Sequence, residues 1–352
     1  MSTPTPYAVD PLVINNKPQA FELVVKPGIL ATDMTYGFTP YWNDGGYCKV
    51  DWGDGLKEDA TKSGTALSHT YAVAGAYTIK IKAECYWIRF DTTGKTLIES
   101  CSENLDKLGN LTDGTSMFLY CSNAQLPLTS LPETLTNGNN MFNGCTNAQL
   151  NLTKLPDGLT SGAWMFNNCR KAKIALTSLP EGLLGGSNMF FGCQSITINI
   201  SRLPSNLRNG RSMFQGLSDS QVDLTSLPDG LTDGFNMFLG CSKSKIKLNE
   251  LPAGLTEGQN MFSGCKASEI TLTHLPANLK TAAGMFKDCI NTEINLDTLV
   301  ANAPADGWTQ LTNISNMFNG CSKVTGSRSA FLAKCPNVTT TTDTFKGTNT
   351  TE

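Results

Sequence analysis

Between residues 117 and 298 the apolar positions recur every 24 residues, marked by Met-Phe at Met117, Met141, Met165, Met189, Met213, Met237, Met261 and Met285. Within each period a short alternation of apolar and polar residues, such as Leu126/Leu128, Leu150/Leu152, Ile198/Ile200 and Ile294/Leu296, predicts a strand with one face inward. Copies spaced by one period pair in parallel at ~4.8 Å per coil. Leu-Pro follows each strand from Leu131-Pro132 to Leu275-Pro276, and proline, lacking an amide donor, turns the chain out of the sheet. A Leu column from Leu135 to Leu279 returns to the core, and a Gly column from Gly114 to Gly258 precedes Met by three residues. Such a column requires either φ > 0 or a backbone too crowded for a Cβ. Met-Phe-x-Gly-Cys predicts one helical or 3-10 turn with Phe and Cys inward and Gly144, Gly192, Gly216, Gly240, Gly264 and Gly320 as left-handed caps. A coil this short buries its apolar face only against its neighbours, so the segment is a solenoid and the Met-Phe column is its core, not a ligand groove.

The period breaks once, Met285 being followed by Met317, with the extra residues over 299–311 around Trp308. An insertion emerges as a loop on one face. Trp308 is then either an exposed binding anchor or a side chain folded over the end of the stack. The pattern decays over 322–352, a capping region in which Thr344-Phe345-Lys346-Gly347-Thr348 is a polar echo of the repeat. Residues 1–94 follow another grammar: alternating strands such as Phe21 to Val25, Cys48 to Trp52 and Tyr77 to Ile81, divided by Gly, Asp and Pro, predict a β-sandwich. The expected fold is therefore a β-rich two-domain chain: a sandwich over 1–94 and a solenoid over 95–352, with an irregular first coil at 95–116 and regular coils at 117–298.

Composition narrows the functions. A net charge of −3 with 16% charged residues gives no basic face for nucleic acid or anionic membrane, and no apolar run reaches the ~18 residues of a membrane span. Met1 to Asp10 is rich in Ser, Thr and Pro, with neither a basic nor an apolar signal segment. Eight of the 12 cysteines occupy one repeat position and Leu217 replaces one of them, as expected for a reduced packing column. The absence of any CxxC disfavours a zinc site of the usual spacing. With only His69 and His274, neither in a nucleophile setting, and no phosphate loop, catalysis and cofactors are not expected.

Val50-Asp51-Trp52-Gly53-Asp54-Gly55 followed by His69-Thr70-Tyr71 through Thr78 resembles the PKD-like, immunoglobulin-type domain. The resemblance implies that Trp52 is core, that Gly53, Asp54 and Gly55 turn the chain out of its strand, and that Tyr71 packs at a corner. Asp51 and Asp54 read as turn caps or as calcium ligands. The repeats resemble BspA-like leucine-rich repeats of the Met-Phe-x-x-Cys variety, found in many bacterial surface proteins. Together the two resemblances span nearly the whole chain.

The surface that repetition creates is the outward sheet face, with Asn151, Asn199 and Thr271 in one column and Thr153, Thr177, Thr225 and Thr273 in the next. These small neutral groups suit a glycan or a protein partner because little side-chain entropy is lost on binding, although Thr also serves exposed strands for stability alone. Chains of this architecture without a signal segment look like phage-encoded virion proteins, and that resemblance implies a non-enzymatic function: a bacteriophage virion accessory such as a capsid decoration, fibre or tail protein, in contact with other virion proteins or a host-cell surface protein or glycan. The alternative is a bacterial cell-surface adhesin. A glycan hydrolase built from scattered carboxylates is a third, weaker expectation.

Overall fold

The computed structural model describes residues 20–28, 34–90, 93–194, 196–218 and 220–352; Met1 to Asp10 lies outside them. Two antiparallel sheets form the N-terminal unit. One runs β4 (Lys57–Asp59), β3 (Cys48–Asp51), β6 (Tyr77–Ala83), β1 (Phe21–Val25), β8 (Ile98–Cys101); the other runs β5 (Leu67–Thr70), β2 (Thr35–Tyr41), β7 (Trp87–Arg89). The alternating burial of β1 and β6 puts Phe21, Leu23, Val25, Ile79 and Ile81 inward, against Phe38 and Trp52, whose rings lie 5.8 Å apart.

Both sheets run on into the solenoid. From β7, a chain of parallel bridges passes Trp87 to Asp113, Asn137 and Ser161 and onward, coil by coil, to Thr340. From β8, Ser100 bridges Gln125 as Gln125 N–H donates to Glu99 O at 2.7 Å, and later coils continue the pairing through Asn151 N–H to Leu128 O and Lys173 N–H to Leu150 O. The two units are interleaved in sequence. Phe90, ahead of β8, heads the aromatic stack at 5.1 Å from Phe118, while β8 itself pairs with β1.

Among the described residues of the stack, regular strands appear in the middle: β9 (Ala175–Leu176), β10 (Thr197–Ile200) and β11 (Gln221–Val222) form one parallel sheet, β12 (Lys247–Leu248) and β13 (Glu269–Ile270) another. Toward either end single bridges such as Ser100 to Gln125 and Asn295 to Thr325 take their place, and Leu296, expected in a strand, begins α1 (Leu296–Ala301) instead. Its Asn295 side chain accepts the Thr298 N–H at 3.1 Å, a cap that starts the helix.

The spine is a continuous ring stack from Phe118 to Phe318, with centroids 5.6 to 6.1 Å apart and planes within 20° of parallel. The spacing exceeds the ~4.8 Å between strands because offset stacking slides the rings sideways. The Cys column is bonded as well as packed. Cys145, Cys169 and Cys193 donate Sγ–H to the carbonyls of Phe118, Phe142 and Phe166 in the preceding coil at 2.9 to 3.0 Å. Burial pushes the Cys193 and Cys241 thiols up to about 12, so they stay protonated and unreactive near neutrality.

The Gly column is settled by crowding. Gly114, Gly138, Gly162, Gly186, Gly210, Gly234 and Gly258 carry no positive φ, and a Cβ on each would come within 2.2 to 2.8 Å of the next coil's Met thioether. The capping glycines do hold left-handed backbone, from Gly192 at φ 73° to Gly216 and Gly320 at 80°. A second left-handed column lies immediately before Met, held by Ser116, Asn140, Trp164, Asn188, Ser212, Asn236, Asn260, Gly284 and Asn316 at φ 51 to 62°.

Candidate recognition surfaces

In the N-terminal motif the aromatic and carboxylate groups bond within the fold. Trp52 and Tyr71 are buried, and Tyr71 Oη donates to Trp52 O at 2.9 Å. Asp51 Oδ1 accepts the Gly53 N–H and Asp54 Oδ1 the Leu56 N–H, each at 3.1 Å, the turn-capping arrangement. Gly53 at φ 86° and Gly55 at φ 98° supply the left-handed turn. Asp54 Oδ2 meets His69 Nε2 at 2.7 Å, and the His69 ring stacks on Trp52 at 5.2 Å. Burial pushes the Asp54 carboxyl up, but the Leu56 N–H and His69 outweigh it and hold the group below the ordinary carboxylate value. Among the described residues no group of three or more His, Cys, Asp or Glu could hold a metal ion.

On the solenoid's sheet face Asn151, Thr153, Thr177, Asn199, Thr225, Thr271 and Thr273 are all exposed, but they do not form one uninterrupted grid. Thr225 and Thr271 line a shallow depression crossed by Lys247 and Glu269, which pair at 2.9 Å. Thr177 lies in a separate cleft with Glu181 and Arg202, themselves paired at 3.2 Å. Thr273 borders a wider depression of about 640 Å³ between His274, Pro276, Asn302 and Pro304.

Trp308 is corrected by its burial. Its relative exposure is 0%, its Nε1–H donates to Leu275 O at 3.3 Å, and its ring lies 5.5 Å from Phe331 of α2 (Arg328–Ala333). The insertion folds back as α1 and the following turn, placing Trp308 beneath the Leu275-Pro276 wall of that depression. An indole with no accessible surface cannot be an anchor.

A turn face, made by the residues around Met-Phe, carries the residues that the periodicity hid. Trp164 is 40% exposed and Tyr120 53% exposed, and both sit in left-handed backbone, at φ 60° and 58°. For a bulky residue that conformation is an outlier costing ~1–3 kcal/mol. Trp164 carries a second cost. In two other coils the amide two places after Met donates to the residue just before Met, Asn143 Nδ2 to Asn140 Oδ1 at 2.9 Å and Asn319 Nδ2 to Asn316 Oδ1 at 2.8 Å. In the Met165 coil the acceptor is replaced by Trp164, and Asn167 Nδ2 is buried without a partner, which costs ~1–3 kcal/mol. The available signal in the sequence was a column of Asn and Ser, residues that tolerate left-handed backbone, broken by one Trp.

The family profile described as BspA type leucine rich repeat region matches in six copies, over residues 112–241 and 234–350. Searches of curated proteins and of solved structures return no match. The profile covers the stacked coils from Thr112 almost to the end of the chain, and the protein belongs to the BspA-type leucine-rich repeat family.

Proposed function

We propose that the protein is a non-enzymatic display scaffold that binds a protein or glycan through its repeat surface, and that it serves as a bacteriophage virion accessory: a capsid decoration, fibre or tail protein. The observation that carries the scaffold reading is the passage of both sandwich sheets into the two solenoid ladders, which holds exposed side chains at fixed spacing and lowers the ordering cost of binding. All 12 cysteines are buried thiols outside any disulfide, which suits folding in a reducing host cytoplasm before release. No helix among the described residues is long and apolar enough to cross a membrane. The N-terminal unit, read as PKD-like from the Trp52 to Gly55 turn and the Tyr71 corner, attaches the scaffold to the particle. The sheet face around Thr225, Lys247, Glu269 and Thr271 then contacts a virion or host protein.

Mass spectrometry of purified particles tests the virion assignment: the protein is expected among the structural components, and its absence there rejects the assignment. A bacterial cell-surface adhesin is the second reading, favoured by the repeat family itself; labelling of intact cells that detects the protein outside would select it. In either setting Thr271→Arg, which adds bulk and charge beside the Lys247–Glu269 pair, is expected to weaken the protein contact without lowering the melting temperature.

A further inference from the structure

We propose that the turn face around Trp164 is a carbohydrate-binding site for a neutral oligosaccharide, with the indole as the stacking platform. The inference rests on the display reading and names its ligand class and its face. The left-handed position before Met is filled in every other coil from Met117 to Met317 by Asn, Ser or Gly. Trp164 alone departs, and the departure strains its backbone and strips Asn167 Nδ2 of an acceptor. Packing accounts for it only in part, because 40% of the residue's surface stays exposed. Two local costs at a ring that keeps much of its surface in solvent mark a position held for contact with something outside the chain.

The surroundings specify the ligand's chemistry. In the Met141, Met165 and Met189 coils no charged residue occupies the two places before Met or the two after Phe. Asn140 and Asn188 flank Trp164 in its own column, one coil away on either side, and each is partly exposed, so amide-bearing residues stand one coil rise, ~4.8 Å along the stack, on both sides of Trp164. An aromatic face with neutral amides beside it matches a pyranose, whose axial C–H groups present an apolar face and whose equatorial hydroxyls both donate and accept. A charged ligand would find no counter-charge at these positions. Two coils toward the sandwich, Tyr120 is not part of the site: its ring lies across Gly144 and carries the Lys95 ammonium 5.1 Å from its centroid.

The test is titration of the full chain with neutral cello-, malto- and chito-oligosaccharides, read by tryptophan fluorescence and calorimetry, alongside the Trp164→Asn and Trp164→Ala variants. At least one neutral series is expected to bind and to perturb indole fluorescence, while sialylated or sulfated glycans bind more weakly. Trp164→Ala is expected to weaken binding about tenfold or more. Trp164→Asn should abolish binding yet raise the melting temperature by about 2–4 °C, since asparagine relieves the strain and restores an acceptor for Asn167. A neutral glycan that binds wild type and Trp164→Asn equally would overturn the site while leaving the display reading intact. Loss of a protein partner on Trp164→Asn, with no glycan bound by wild type, would overturn the ligand class. A fall in melting temperature for Trp164→Asn would show the indole to be structural and overturn the inference.

Discussion

Gly185 and Gly186 are adjacent and have opposite sensitivities. A Cβ on Gly186 would sit 2.6 Å from Met213 Cε and 2.7 Å from its Sδ, whereas one on Gly185 meets nothing within 4 Å. Met213 is fully buried, so its thioether has little room to retreat. Gly186→Ala is expected to destabilise by ~1–3 kcal/mol and Gly185→Ala to be neutral or to stabilise by up to ~1 kcal/mol, as read from urea midpoints. The sequence exposed the Gly column but left open whether conformation or crowding required it, because the facing atom belongs to the next coil. Where Ile314 stands at the column position, Thr344 occupies the Met position of the following coil and donates Oγ1–H to Ile314 O at 2.9 Å. The pH response is also set by single residues. Because Asp54 is held below its ordinary value in the folded chain, its contribution to stability is present above the unfolded carboxylate value and is lost as pH falls through the lower folded one. Asp54→Asn should flatten the acid limb of sandwich stability followed by fluorescence; an unchanged acid limb would exclude that role.

At the scale of elements, the insertion shows what periodicity conveys and what it does not. The break after Met285 located the extra residues, but an exposed loop and a folded-back helix share the same interruption. The deciding signal was local: Asn295 ahead of Leu296, Leu299 and Val300 is a helix start, hidden because Ile294 and Leu296 also continue the strand alternation of the coils before them. With Trp308 wedged against Phe331 and bonded to Leu275, Trp308→Ala is expected to cost ~3–5 kcal/mol in a thermal or urea melt. A loss below ~1 kcal/mol would mean the ring does not hold the end of the stack. The short strands were legible from alternation, yet among the described residues of the stack it is the middle coils that zip into regular β9 to β13. One contributing cause is visible in the sequence: Pro127 removes a ladder donor in the Met117 coil. Trp164 escaped because a repeat consensus averages away the single residue that departs from it.

For the whole molecule, near-identical coils make stability a sum over neighbours, so excision of the 24 residues Met237–Asn260 should leave a folded chain with a modestly lower melting temperature, while removal of half a repeat should disrupt the stack. Circular dichroism and melting of the two deletions check this. The sandwich and the repeat class were legible from residue patterns, but their continuity was not, since it depends on pairings between residues far apart in the sequence, β8 with β1 and Trp87 with Asp113. That continuity is the central claim, because rigid display requires the sandwich and the first coils to move as one body. Hydrogen exchange under increasing denaturant tests it most directly, by comparing the amides of β1 and β8 with those of the Met117 and Met141 coils. Convergence on one opening free energy is the predicted result; sandwich amides that open in a separate step while the coils stay protected would contradict it.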